Sequence, residues 1–210
     1  MEDIYCYAYV EDSPSAAVVR KLVAARNARL DLDRHLIFRD GFPAVMRGYG
    51  AIKSKCKAFL NMARAGSHTF ILTDLDTAEC ACTLIRDWFA IPKNEPVELP
   101  SPCIFRVAVR EVESWILADH AAWAEYIGIP AVNFSTQPDQ LDDPRQHLLN
   151  VIQKKGRKKI HSEMLPQGPA HIGPRYNEVL CEFVDSSWAP ERAAKNSPSL
   201  DRAFKALMKV

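Results

Sequence analysis

Asp74 and Asp76 stand two residues apart at the end of an apolar run, Ile71-Leu72-Thr73-Asp74-Leu75-Asp76. In an extended chain, residues two apart point to one side, so two carboxylates closing a buried strand aim at one place. Oxygen-only donors at such a place suit a hard divalent cation, magnesium above all. A second apolar run, Ile4 to Val10, closes on Glu11-Asp12, and a third, 104–109, closes on Arg110-Glu111-Val112-Glu113. Carboxylates gathered at one edge repel one another unless cations neutralise them. A two-metal site does this and activates water for phosphoryl chemistry. Taken singly, each acid has an ordinary explanation, because strand ends use Asp and Glu as turn residues and helix caps. Taken as a set, Glu11, Asp74, Asp76 and Glu111 favour function. Glu111 and Glu113 diverge by about 200° if both are helical, and share a metal only if the helix begins at Glu113. Glu111 follows its strand more directly; Glu113 has Arg110, three residues earlier, as an alternative partner.

The elements that must position these acids alternate strand and helix over residues 1–119. After the first run, Ser13 suits a helix cap and Pro14 a first helical position, with Val18, Val19, Leu22 and Val23 on the apolar side. A short run, 36–38, follows. Ile52, Cys56, Phe59, Leu60 and Ala63 then fall on one face of a single helix. A strand over 69–73, a helix over 78–89 and a strand over 104–109 complete the alternation. The reading is α/β: a four-stranded parallel sheet with helices on both faces. Ligands then sit at the carboxyl ends of the strands, where strand order reverses. If the strands ending in Glu11 and Asp74 are neighbours, about 4.8 Å apart, their acids lie within a few ångströms. Residues 120–210 read as a helical extension packed on this domain, with a loop over 133–144 and helices near 147–152, 177–185 and 199–208.

Composition sets bounds. Of 210 residues, 48% are hydrophobic, enough for a sizeable core, and the net charge of +1 announces no global attraction to nucleic acid. The acidic start lacks a signal peptide's pattern and no apolar run spans a bilayer, so a cytoplasmic protein that does not enter the membrane is expected. The six cysteines read as reduced core residues, and Cys80, Cys82 and Cys103 lack zinc-knuckle spacing. The only dense basic run, Lys154, Lys155, Arg157, Lys158 and Lys159 around Gly156, is either a solvated loop or a flexible tract tracking a nucleic-acid backbone. Gly48-Tyr49-Gly50 reads as a plain turn, the six histidines show no ligand spacing, and the four tryptophans read as core.

Tyr9-Val10-Glu11-Asp12, Leu72-Thr73-Asp74-Leu75-Asp76 and the stretch from Phe105 through Arg110-Glu111-Val112-Glu113-Ser114-Trp115 to Asp119 together resemble the Toprim fold. That family includes topoisomerase and primase catalytic domains and overcoming-lysogenization-defect nucleases. The likeness covers about the first 120 residues and is nearest to small Toprim-like proteins found beside ATPases in bacterial antiviral defence loci. It implies Mg²⁺- or Mn²⁺-dependent phosphodiester cleavage, of DNA in preference to RNA, with an ATPase as a candidate partner. Asp74 and Asp76 would hold a metal on the phosphate, Glu11 would act as ligand or general base, and Glu111 would serve a second metal. Lys53 or Arg110 would stabilise developing charge. The family's nuclease branch often carries a further acid where this chain has Ser15, so a metal there would lean on Glu111 or Glu113. Two other classes remain open: a phosphatase or nucleotide hydrolase, which normally carries its Asp-x-Asp after the first strand, and a non-catalytic module binding nucleic acid or an ATPase.

Overall fold

A computed structural model describes residues 3–29, 32 and 34–210. In chain order it contains β1 (Ile4–Val10), α1 (Ser13–Asn27), β2 (Leu36–Phe38), β3 (Ala44–Val45), α2 (Tyr49–Lys53), α3 (Cys56–Arg64), β4 (His68–Asp74), α4 (Ala81–Trp88) and β5 (Cys103–Ala108). Helices follow: α5 (Val112–Leu117), α6 (His120–Ile127), α7 (Pro144–Lys155), α8 (Lys159–Met164), α9 (Tyr176–Ser186), α10 (Pro190–Ala193) and α11 (Pro198–Leu207).

The sheet runs β2-β1-β4-β5, every pairing parallel, with β3 adding a fifth strand beside β1. Two residues behind Pro43 carry no periodicity, so β3 has no signature in the sequence. From β1 the chain moves outward to β2, then crosses back to β4 and on to β5. The reversal therefore falls between β1 and β4, where α/β sheets open a crevice at their carboxyl edge.

Strand alternation divides the core. Cys6, Ala8 and Val10 of β1, Phe70 and Leu72 of β4 and Ala108 of β5 pack with α1 and with helices of the C-terminal half. Ile71, Phe105 and Val107 pack on the other face with Ile52 of α2, Phe59 of α3 and Leu84 of α4. Three boundaries differ from the sequence reading. The cap of α1 is Asp12, whose side chain accepts the Ser15 N–H, while Ser13 is already helical. The expected single helix over 52–63 is two, broken at Ser54 and Lys55. The turn through 75–80 delays α4 to Ala81, capped by Cys80.

Residues 120–210 do not stand apart from the sheet; their helices complete the core on the α1 face. Trp115, Trp123 and Trp188 are fully buried there. Trp115 Nε1 donates to Ser199 Oγ at 2.7 Å, Trp188 Nε1 donates to the Trp115 carbonyl at 3.1 Å, and Arg26 Nε reaches the Leu207 carbonyl at 3.1 Å. All six cysteines are free thiols. Among the described residues no helix is long and apolar enough to cross a membrane.

Because one core crosses residue 119, unfolding should be a single transition, coincident by far-ultraviolet dichroism and tryptophan fluorescence. Trp115→Ala should cost about 3–5 kcal/mol, a fall in Tm of roughly 10 °C. Separate transitions for the two halves would contradict a shared core.

Candidate functional site

The β1–β4 register pairs Tyr9 with Ile71, so Glu11 emerges level with Thr73 at the reversal point. Glu11 Oε1 accepts hydrogen bonds from the Thr73 hydroxyl and, at 3.0 Å, from the Asp74 N–H. Asp74 ends β4 almost fully buried, and its Oδ1 accepts the Val112 N–H at 2.9 Å, tying the end of β4 to the start of α5. The segments bearing Glu11, Asp74 and Glu111 thus meet at one edge.

Asp76 is placed differently from the extended i, i+2 geometry. The strand stops at Asp74, Leu75 turns into the second core, and Asp76 adopts a left-handed φ of 47° with its side chain exposed. Aspartate tolerates this region better than most residues. The turn is fixed from β5: the N–H groups of Leu75 and Asp76 donate to the Arg110 carbonyl at 2.9 and 3.0 Å. Arg110 Nη1 in turn donates to the carbonyls of Ala78 and Asp76 at 2.7 and 3.2 Å. The Arg110 guanidinium therefore secures this loop and does not pair with Glu113.

Glu111 is the extended cap residue of α5 and Glu113 lies in its first turn, an arrangement that lets both carboxylates reach one partner. That partner is Arg145, in the first turn of α7. Its N–H donates to Glu111 Oε2 at 3.1 Å, its Nη2 lies 3.0 Å from Glu111 Oε1, and its Nε donates to Glu113 Oε1 at 2.9 Å. The Tyr176 hydroxyl of α9 donates to the same Glu113 oxygen at 3.1 Å. Glu113 Oε2 is buried with no hydrogen-bond partner among the described residues.

Crowding sets the protonation of this edge. Burial, then Glu113 and Glu11, push Asp74 well above the ordinary carboxylate value. Burial raises Glu11 while Thr73 and Asp74 pull it back through their hydrogen bonds, and Asp76 and Asp12 add to the rise. Asp76 is also raised by partial burial, with Arg145 opposing. Glu111 is pushed up to about 7 by burial and by Glu113, despite Arg145. Glu113 is raised by burial, with Arg145 opposing. Burial alone would lower the Arg145 guanidinium, but Glu113 and Glu111 outweigh it and hold it protonated.

Among the described residues, no three His, Cys, Asp or Glu form a ready metal cage. Magnesium, however, usually keeps several waters and takes one or two carboxylates plus substrate phosphate. Glu11 Oε2, Asp74 Oδ2 and the Asp76 carboxylate accept no hydrogen bond from the described residues, and such hard, mutually repelling oxygens fit a cation of that kind. Beside them a cleft of about 360 Å³ is lined by Asp74, Asp76, Thr83, Tyr49 and Trp88, the two rings stacked at 6.2 Å.

Other sequence candidates lie elsewhere. Lys53 pairs with Asp87 of α4 at 2.7 Å on the surface. The basic run occupies the opposite end of α7 from Arg145, roughly 15 Å away at 1.5 Å per residue. Its backbone is tied to a buried ring: His161 accepts the Arg157 and Lys158 N–H groups on Nδ1 at 2.8 and 3.0 Å. His161 Nε2 bonds the Ile127 carbonyl at 2.8 Å. Gly156 is required by space, since a Cβ there would lie 2.5 Å from the Ile152 carbonyl oxygen and 2.7 Å from His161 Cβ. Of its side chains, Arg157 donates to the Gly156 carbonyl at 2.8 Å and Lys159 lies 3.5 Å from Glu163.

Sequence reasoning missed Arg145 and Tyr176. The cap signature Asp143-Pro144 offered a signal, because it starts α7 and places Arg145 in the first turn. Compared with family models, curated proteins and solved structures, the chain matches none.

Removing Arg145 strands two buried acids. An acid whose folded pKa lies above its unfolded value binds more protons when folded, so its contribution favours folding at low pH and is lost as pH rises through the folded pKa. Arg145→Met should therefore cost about 3–5 kcal/mol at pH 8 and less at pH 5, where Glu111, held at about 7, is protonated. Urea unfolding at the two pH values measures this; a pH-independent loss would contradict the clamp.

Proposed function

We propose that the chain is a metal-dependent nuclease of Toprim-like type that hydrolyses phosphodiester bonds, with DNA the favoured substrate. The observation that carries this reading is the Glu11 carboxylate bridging to Thr73 and Asp74 at the sheet's reversal point. It brings acids of two adjacent strands together where open α/β sheets bind ligands. Asp74 and Asp76 would hold a divalent cation with Glu11 beside them, and Glu111 and Glu113 would hold Arg145 in place. Such a cation, when bound, polarises a phosphoryl oxygen and lowers the pKa of water. Glu11, raised above the ordinary carboxylate value and with Oε2 open, would accept the proton of the attacking water. Arg145, coupled electrostatically to Asp76, supplies positive charge against the developing oxyanion. Mutual repulsion among the acids is itself a driving force for taking a cation.

A second reading, a non-catalytic partner module, draws on one observation: Arg145 already supplies a counter-charge to Glu111 and Glu113, as in a purely structural cluster.

Purified protein should cut plasmid DNA in Mn²⁺, and Asp76→Asn, at an exposed position, should reduce cutting by about 10²-fold or more. Mn²⁺ should raise Tm at pH 8 in wild type, less as falling pH sets protons in competition for the raised acids, and not in Asp76→Asn. No cutting together with no acid-dependent Mn²⁺ effect would sink the nuclease reading and leave the module.

A further inference from the structure

We propose a second ligand site, independent of the acid edge: a cationic bay that takes a small molecule bearing two or more linked phosphates. It lies at the opposite, amino-terminal end of the sheet, between the starts of β4 and β5 and helix α11. The cavity is about 620 Å³, within the range of small-molecule sites. Arg34, Arg106, Arg202, Lys205 and Lys209 line it, with His68, and among the described residues no acidic side chain does.

Little neutralises these charges. Lys205 pairs with Asp201 at 2.7 Å. Val210 also lines the wall, and a terminal carboxylate there would offset one more. Among the described residues, no ion pair or hydrogen bond engages the side chains of Arg34, Arg106, Arg202 or Lys209. Arg106 Nε and His68 Nδ1 are buried with no partner. Burial and then Arg202 lower the Arg106 guanidinium, and burial and then Arg34 lower His68, which leaves a neutral imidazole in the wall.

Like-charged guanidiniums facing one another, one with a buried unpaired N–H, cost stability unless an anion bridges them. The planar arginine fork matches phosphate oxygens. The excess charge exceeds what one phosphate would neutralise, which favours a di- or triphosphate. The cations converge into a recess with apolar walls at Leu99, Pro102 and Ile104 rather than along a ridge, a shape for a small ligand and not for a duplex.

Calorimetric titration in EDTA keeps divalent ions from the acid edge, and the bay variants separate binding there from binding at the basic corner of α7. Pyrophosphate and tripolyphosphate should bind with Kd below about 100 µM, inorganic phosphate and citrate tenfold or more weakly. Arg202→Met and Arg106→Met should each weaken tripolyphosphate at least tenfold, while Asp76→Asn leaves it unchanged. Ligand-free Arg106→Met should match or exceed the wild-type Tm, separating lost binding from lost folding. No heat from either polyphosphate, or equal affinity in Arg202→Met, would overturn the proposal. So would binding of a short DNA duplex that Arg202→Met abolishes while pyrophosphate gives no heat, an outcome that would make the bay a nucleic-acid contact.

Discussion

Like charges buried at the carboxyl edge of a parallel sheet dominate this molecule. Asp74 and Glu113 are nearly inaccessible, and they, Glu11, Asp76 and Glu111 are all pushed toward their protonated forms. The fold tolerates this through donors fixed in place: the Thr73 hydroxyl, the Asp74 and Val112 amides, the Tyr176 hydroxyl and the three-point grip of Arg145. Charge-assisted hydrogen bonds of this kind are strong when geometry is held, and losing one leaves a costly buried ion.

The donors come from both halves of the chain. Glu11, Thr73 and Asp74 belong to the sheet, but Arg145 and Tyr176 belong to helices that also close the core over α1. The C-terminal helices therefore do two things through the same packing: they bury the apolar face of β1, β4 and β5, and they deliver the counter-charge to Glu111 and Glu113. Division at residue 119 describes the composition of the chain better than its energetics.

Much of the fold was legible in the sequence. Apolar runs ending in acids located β1, β4 and β5, since strands covered on both faces must be apolar throughout. Parallel pairing followed from alternation with helices, but β1 beside β4 stood only as a condition, because strand order is set by tertiary packing. Given that adjacency, the gathering of Glu11 and Asp74 followed. What escaped had physical reasons. The exposed, left-handed Asp76 depends on the Arg110 carbonyl, a contact 34 residues away in sequence. The engagement of Lys53 by Asp87 and of Arg110 by loop carbonyls likewise rests on tertiary contacts. Arg145 stood between a stretch read as loop and the helix read near 147–152, and only the cap, Asp143, marked a start early enough to include it. The backbone path of the basic corner depends on His161, which reads as an ordinary packing residue until its ring is seen accepting two amides.

Helix α7 spans the distance between two charged districts. Its first turn is gripped by carboxylates through Arg145, and its last carries Lys154 and Lys155 into a corner locked by His161. Held at both ends, a straight helix of that length fixes the spacing between the two districts, so the sign of the surface changes from acid-lined to basic over roughly 15 Å along a single rod.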